Sequence, residues 1–316
     1  MYNKNITKGI ILSFISLILL GIMPIISNSR PMKIDALHFA LYLSIWQLIF
    51  SVPVLFFELR NYNQGIFSAN LPNTLKKKTI SIILVTGIMF GISTFAYVFS
   101  MEKAGATSAA IAIQAYPLFA ILWETIFLNK RKSIGELFFT ILLISGLYYL
   151  GTGGTWKIKG LSYWFLSALS VPFIWSVAHV IVKEVLDKTP ITPAQVTFFR
   201  VSISAVFLFV IAVYINDLSY ILNLLSSSTF QIYAAIMGFI YYLELINWFY
   251  AVKHVDVSVA SSITAPWPVI TIILAILFLQ ETVKYYQIIT MITTLISVYG
   301  LIVTGRLKNS KSKITV

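Results

Sequence analysis

An all-α integral membrane protein is the fold class this sequence predicts: ten transmembrane helices in two inverted five-helix repeats. Three observations predict it. Hydrophobic residues make up 58% of the chain and charged residues 11%, against roughly 25% charged in soluble domains. Ten runs approach the ~20 mostly apolar residues that a bilayer-spanning helix needs. The chain also echoes itself at a fixed offset, so that Gly87 falls on Gly238, Ala109 on Ala260, Pro117 on Pro268 and Leu128 on Leu279.

The spans follow in order. The first, near 8–27, holds an apolar run from Gly9 to Ile26. That run is longer than a signal-peptide core of ~7–15 residues and has no small-x-small site after it, so it reads as a membrane helix. The second, near 38–57, contains Pro53. The longest connection, 58–78, carries Lys76, Lys77 and Lys78. The third span, near 79–100, contains Gly87-x-x-x-Gly91, a spacing that lets helix backbones approach closely. The fourth, near 105–128, carries Gln114, Tyr116 and Pro117, and the fifth lies near 134–151. The sixth, near 160–183, holds Pro172 and Trp175. The seventh, near 194–215, holds Arg200, and the eighth, near 230–250, holds Glu244. The ninth, near 257–279, is interrupted by Pro266 and Pro268 around Trp267, and the tenth lies near 285–304. The tail from Arg306 has the polar composition of a disordered segment. No stretch is left for a soluble domain and no lipidation motif is evident. The repeats divide the chain into 1–152 and 153–316.

Orientation follows from charge. The net charge is +12. Sixteen Lys and Arg residues fall in the connections and termini on the N-terminal side of this path and six on the other, with Arg200 inside a span. Cytoplasmic loops collect positive charge, so both termini are expected in the cytoplasm of a multi-pass protein of the cell membrane. The basic charge thus reads as a topology signal and not as a nucleic-acid footprint. An odd number of spans per repeat makes the second copy enter the membrane from the opposite side, which inverts it.

Prolines occur at equivalent places in the repeats, at Pro24 and Pro172 in the first and sixth spans and at Pro117 and Pro268 in the fourth and ninth. Tyr116 and Trp267 each stand directly before the proline. Proline removes a backbone donor and frees a carbonyl, a gap tolerated in membranes where it faces protein or water. Pro117 and Pro268 are therefore read as hinges. A repeated, proline-broken helix pair points to a small-molecule site.

With these features the chain resembles the drug/metabolite transporter superfamily in its EamA-like branch. The resemblance covers nearly the whole chain. It rests on the ten spans in two repeats, on the segment ASSITAPWPVITIILAILFLQET that closes on Leu279-Gln280-Glu281, and on Phe199-Arg200. The first repeat departs from the pattern, with Lys130 where the second has Glu281. The resemblance implies a central cavity lined mainly by spans 1, 3, 4, 6, 8 and 9. It says almost nothing of the substrate, because members of the superfamily carry amino acids, amines, nucleobases and other metabolites.

Glu244 is the foremost binding candidate. A charge in mid-span costs at least ~2.5 kcal/mol on insertion scales, which asks for a partner or a purpose. Tyr241, Glu244 and Trp248 share one helix face by their spacing. A carboxylate between two aromatics suits a cationic ligand. Carrying a coupling proton, or pairing with Arg200 at similar depth, are the other readings. Trp175, Trp267, Tyr97 and Tyr116 lie in spans that the resemblance makes cavity-lining, and Gln114 is a polar group one turn before Pro117. Glu124, His179 and Lys183 lie near span ends and read as surface or snorkelling groups.

The function expected is secondary transport of a small polar metabolite, cationic or zwitterionic, by alternating access, driven by protons or by plain exchange. The lipid bilayer and the small-molecule substrate are the partners expected, with monomer and homo-oligomer both left open. No phosphate-binding loop of the G-x-x-x-x-G-K-[ST] kind is present, so ATP-driven transport would need a partner subunit. No cofactor is called for: there are no cysteines, and the three histidines have no metal-ligand spacing. An integral membrane enzyme acting on a lipid-linked substrate is the alternative, and no carboxylate pair in the spans supports it.

Overall fold

The computed structural model describes residues 5–31, 34–61, 65–67, 72–119, 122–123, 133–157, 162–255 and 257–314, without the side chains of 258 and 305–314. Nine helices among these residues are long and apolar enough to cross a membrane. The chain runs through α1 (Ile6–Ser29), α2 (Ala36–Asn61), α3 (Asn73–Ile113), α4 (Ile134–Gly151), α5 (Tyr163–Lys188) and α6 (Pro193–Ile215). It continues through α7 (Leu218–Leu225), α8 (Ser228–His254), α9 (Val257–Thr264), α10 (Trp267–Phe278) and α11 (Tyr285–Ile314).

The 41-residue α3 joins the third span to the start of the fourth. At Gly105 the backbone takes φ 80 and ψ 164 and the direction changes. Only glycine adopts that conformation readily. The carboxylate of Glu281 then restarts the helix, accepting hydrogen bonds from the N–H groups of Ala106 (2.7 Å) and Thr107 (3.2 Å). A helix start leaves such donors without intrahelical partners, and a carboxylate satisfies them.

Caps set other starts. Asn5 accepts from Lys8 N–H at the head of α1, Ser133 and Glu136 form a capping box on α4, and Thr192 accepts from Gln195 N–H ahead of Pro193. The two repeats break alike. A turn at Gln114–Ala115 precedes Tyr116-Pro117, and a turn at Ala265–Pro266 precedes Trp267-Pro268. Pro24, Pro53 and Pro172 instead sit inside continuous helices. A membrane helix absorbs one missing N–H when neighbouring helices satisfy the freed carbonyl.

Packing follows the internal symmetry. α1 lies on α8 and α3 on α5, the same contact with the repeats exchanged. α2 packs on α6 and α4 on α11, each helix against its own counterpart, while α3·α6 mirrors α2·α8. Gly87 and Gly91 make room for Ile203, Ser204 and Phe207 of α6, and Ser204 Oγ donates to the Gly87 carbonyl at 2.8 Å. The perimeter is apolar: Ile141 is 65% and Phe278 70% exposed. Such a surface asks for hydrocarbon around it. The short α7, unanticipated from sequence, buries Ile221 and Leu224 while Leu218, Leu222 and Leu225 remain exposed.

Candidate functional site

The broken helices meet at the centre of the bundle. There α1, the second half of α3, α5, α6, α8, α9 and α10 enclose about 590 Å³ of empty space, mouth included. The spacing that places Tyr241, Glu244 and Trp248 on one face also adds Leu245, and all four line the cavity. Trp175 and His179, one turn apart, come from α5. Gln114, Tyr116 and Pro117 come from the first break, and Thr264 and Trp267 from the second. Arg200 of α6 closes the wall.

Eight of the ten residues singled out in the sequence thus share one chamber. Tyr97 does not face it. Its ring lies behind the wall, stacked on Trp175 with centroids 6.4 Å apart and against Tyr241 at 6.2 Å. Pro268 lies by a separate, smaller void that Gln114, Met291 and Thr294 also line. His179 corrects the sequence reading. It is no surface group but is 8% exposed and sits among aromatic rings, with Trp248 at 5.2 Å, Phe90 at 5.5 Å and Trp175 at 6.0 Å. Lys183 does pair at the surface, its Nζ 3.1 Å from Asp187. Glu124 lies outside the described residues.

Glu244 and Arg200 are 6% and 3% exposed, and both face the cavity. They form no ion pair with each other, and among the described residues neither has an oppositely charged partner. The Arg200 guanidinium instead lies over the Phe90 ring, 3.5 Å from its centroid. Its Nη1 is buried without a hydrogen-bond partner, as are Trp248 Nε1, Tyr241 Oη and His179 Nδ1. The large majority of buried side-chain polar atoms in proteins are paired. Four unpaired groups, among others elsewhere in the molecule, lie around this chamber. Trp175 is held differently, its Nε1 donating to Ser93 Oγ at 3.1 Å.

Sequence reasoning placed His179 near the surface and passed over Ser261 and Thr264. The signals present were a histidine within an apolar stretch, one turn from Trp175, and small polar residues just ahead of the second proline break.

Comparison with known proteins adds to this geometry. The EamA-like transporter family model matches residues 7–152 and 162–303, one repeat each. An "Uncharacterized transporter" of Archaeoglobus fulgidus is 25% identical over 126 residues, 39% of this chain and 44% of that protein, so the match spans less than half the relative's length. A crystal structure of a protein with 15% sequence identity superposes with a TM-score of 0.65, covering 96% of this chain and 99% of the other. At that identity the likeness speaks for the fold alone.

Proposed function

The chain belongs to the EamA-like transporter family, a multi-pass membrane protein, and from that premise we propose that it is a secondary transporter of a small cationic or zwitterionic metabolite, such as an amine or amino acid, working by alternating access. The observation that carries the reading is Glu244: a carboxylate buried between Tyr241 and Trp248 on the wall of the central cavity, with no charged partner among the described residues. Leaving a charge unpaired at that depth costs several kcal/mol. A ligand's ammonium group would supply the missing partner, and the flanking rings would add cation–π attraction of roughly 0.5–2 kcal/mol. Two repeats that pack as mirror partners can exchange conformations about such a site and open it to either face. In this reading the protein lies in the cell membrane with both termini in the cytoplasm.

The test is a thermal-shift screen of the purified protein against amines, amino acids, nucleobases and quaternary ammonium compounds, followed by uptake of the binders into proteoliposomes. A ligand at a hundred times its Kd stabilises the native state by about 2.7 kcal/mol. Cationic or zwitterionic compounds should raise the melting temperature, and Glu244→Gln should weaken their binding at least about a hundredfold. If the binders are all neutral or anionic, and Glu244→Gln binds them normally, the reading is wrong.

A further inference from the structure

We infer that the cavity holds a second, anion-binding subsite at Arg200, so that the substrate is a zwitterion whose carboxylate rests on Arg200 while its ammonium rests on Glu244. The inference rests on the proposed role of Glu244 and narrows it. Arg200 is 3% exposed and lines the same chamber. Stacking 3.5 Å from the Phe90 centroid, with the Phe249 ring at 5.7 Å, holds the guanidinium in place. Yet stacking satisfies the face of that group and none of its N–H donors, and Nη1 is buried with no partner. A guanidinium stays charged and offers a planar fork of donors that matches a carboxylate.

The neighbouring orphans point the same way. Trp248 Nε1 is a donor only, and Tyr241 Oη carries a proton to donate. Among the described residues Glu244 is the one carboxyl group lining the chamber. A simple amine would satisfy Glu244 and leave Arg200 stranded with a second positive charge in the same low-dielectric space. A simple carboxylic acid would do the reverse. Only a ligand carrying both charges pairs both groups at once, and the rings of Tyr116, Trp175 and Trp267 make much of the remaining wall apolar, beside Gln114, His179, Ser261 and Thr264. The substrate class is therefore an amino acid, or a like zwitterion, with an apolar or aromatic side group.

Two matched sets of probes test this by calorimetry on the purified full-length chain: phenylalanine, phenethylamine and 3-phenylpropionate, and leucine, isoamylamine and 4-methylvalerate. In each set the amino acid should bind at least about tenfold more tightly than the amine. Arg200→Gln should erase that preference, weakening the amino acid while the amine binds no more weakly than before. Should that variant not fold, Arg200→Lys keeps the charge but loses the fork, and should remove most of the preference. Equal binding of amine and amino acid by the unmodified chain, or an equal loss of both in the Arg200 variants, overturns the subsite and leaves the reading of Glu244 standing. Binding of the carboxylic acids alone overturns the zwitterion and the reading of Glu244 together. Binding of none of the six overturns the inference too, because the chamber would then accept neither charge pattern.

Discussion

Tyr97 is fully buried behind the cavity wall, and its hydroxyl has no hydrogen-bond partner. Leaving a buried donor unsatisfied costs ~1–3 kcal/mol, so a residue that supplies the same ring without the hydroxyl should do better. Tyr97→Phe is expected to hold or raise the melting temperature and to leave ligand affinity within about twofold, since the ring still supports Trp175 and Tyr241. A clear loss of binding would mean that Tyr97 reaches the ligand. Side chains of this second layer are hard to tell from lining residues in a sequence, because both lie on inward helix faces. Glu244 and Arg200 were legible because a charge is costly in an apolar span. His179 was misjudged for a measurable reason. The sixth span was expected to end near 183, which set His179 one turn from the surface. The helix runs on to Lys188, which puts the ring deeper and among the aromatics.

The paired breaks before Pro117 and Pro268 were visible in the sequence as matched prolines with an aromatic ahead of each. The device that restarts the fourth span was not, because Glu281 caps donors some 175 residues away in sequence. A long-range cap leaves no local pattern. Nor did the eight residues of α7 offer enough periodicity to be recognised. Gly105 ties the restart together. Its φ of 80 excludes an ordinary side chain, and a Cβ there would stand 3.0 Å from Glu281 Oε1. Gly105→Ala should therefore cost roughly 1–3 kcal/mol in backbone strain, and more where the cap is pushed off. Thermal unfolding of the purified variant checks this. A melting temperature equal to that of the unmodified chain would show that the turn at residue 105 does not need a glycine.

Taken as a whole, the path of the chain can be checked at both ends of the bundle. At one end Arg30 pairs with Glu102 at 2.5 Å, Glu281 caps Ala106, and the Tyr42 hydroxyl donates to the Ile221 carbonyl. At the other, the Tyr250 hydroxyl donates to Glu58 at 2.5 Å, Thr192 donates to Glu58, and Asn5 N–H donates to His254 at 3.2 Å. Each of these contacts joins residues that an alternating ten-span path assigns to the same membrane face. The packing and the span count therefore agree, and only the sense of the whole remains to be set. The proposed sense rests on Lys and Arg, whose sixteen-to-six bias favours the cytoplasm for the end that holds Asn5 and Glu58. The absence of cysteine makes this directly measurable, since one introduced thiol is then the sole target for a reagent that does not cross membranes. On intact cells, Lys157→Cys should label from outside, as its loop joins α4 to α5 at the Arg30 end. Lys188→Cys, at the foot of α5, should label only after the membrane is opened. Both side chains are exposed, so accessibility to the reagent is not set by burial. Labelling of Lys188→Cys and not Lys157→Cys on intact cells would turn the molecule over and place both termini outside. Labelling of both would break the path itself, and with it the pairing of α1 with α5 and of α3 with α8 as inverted copies.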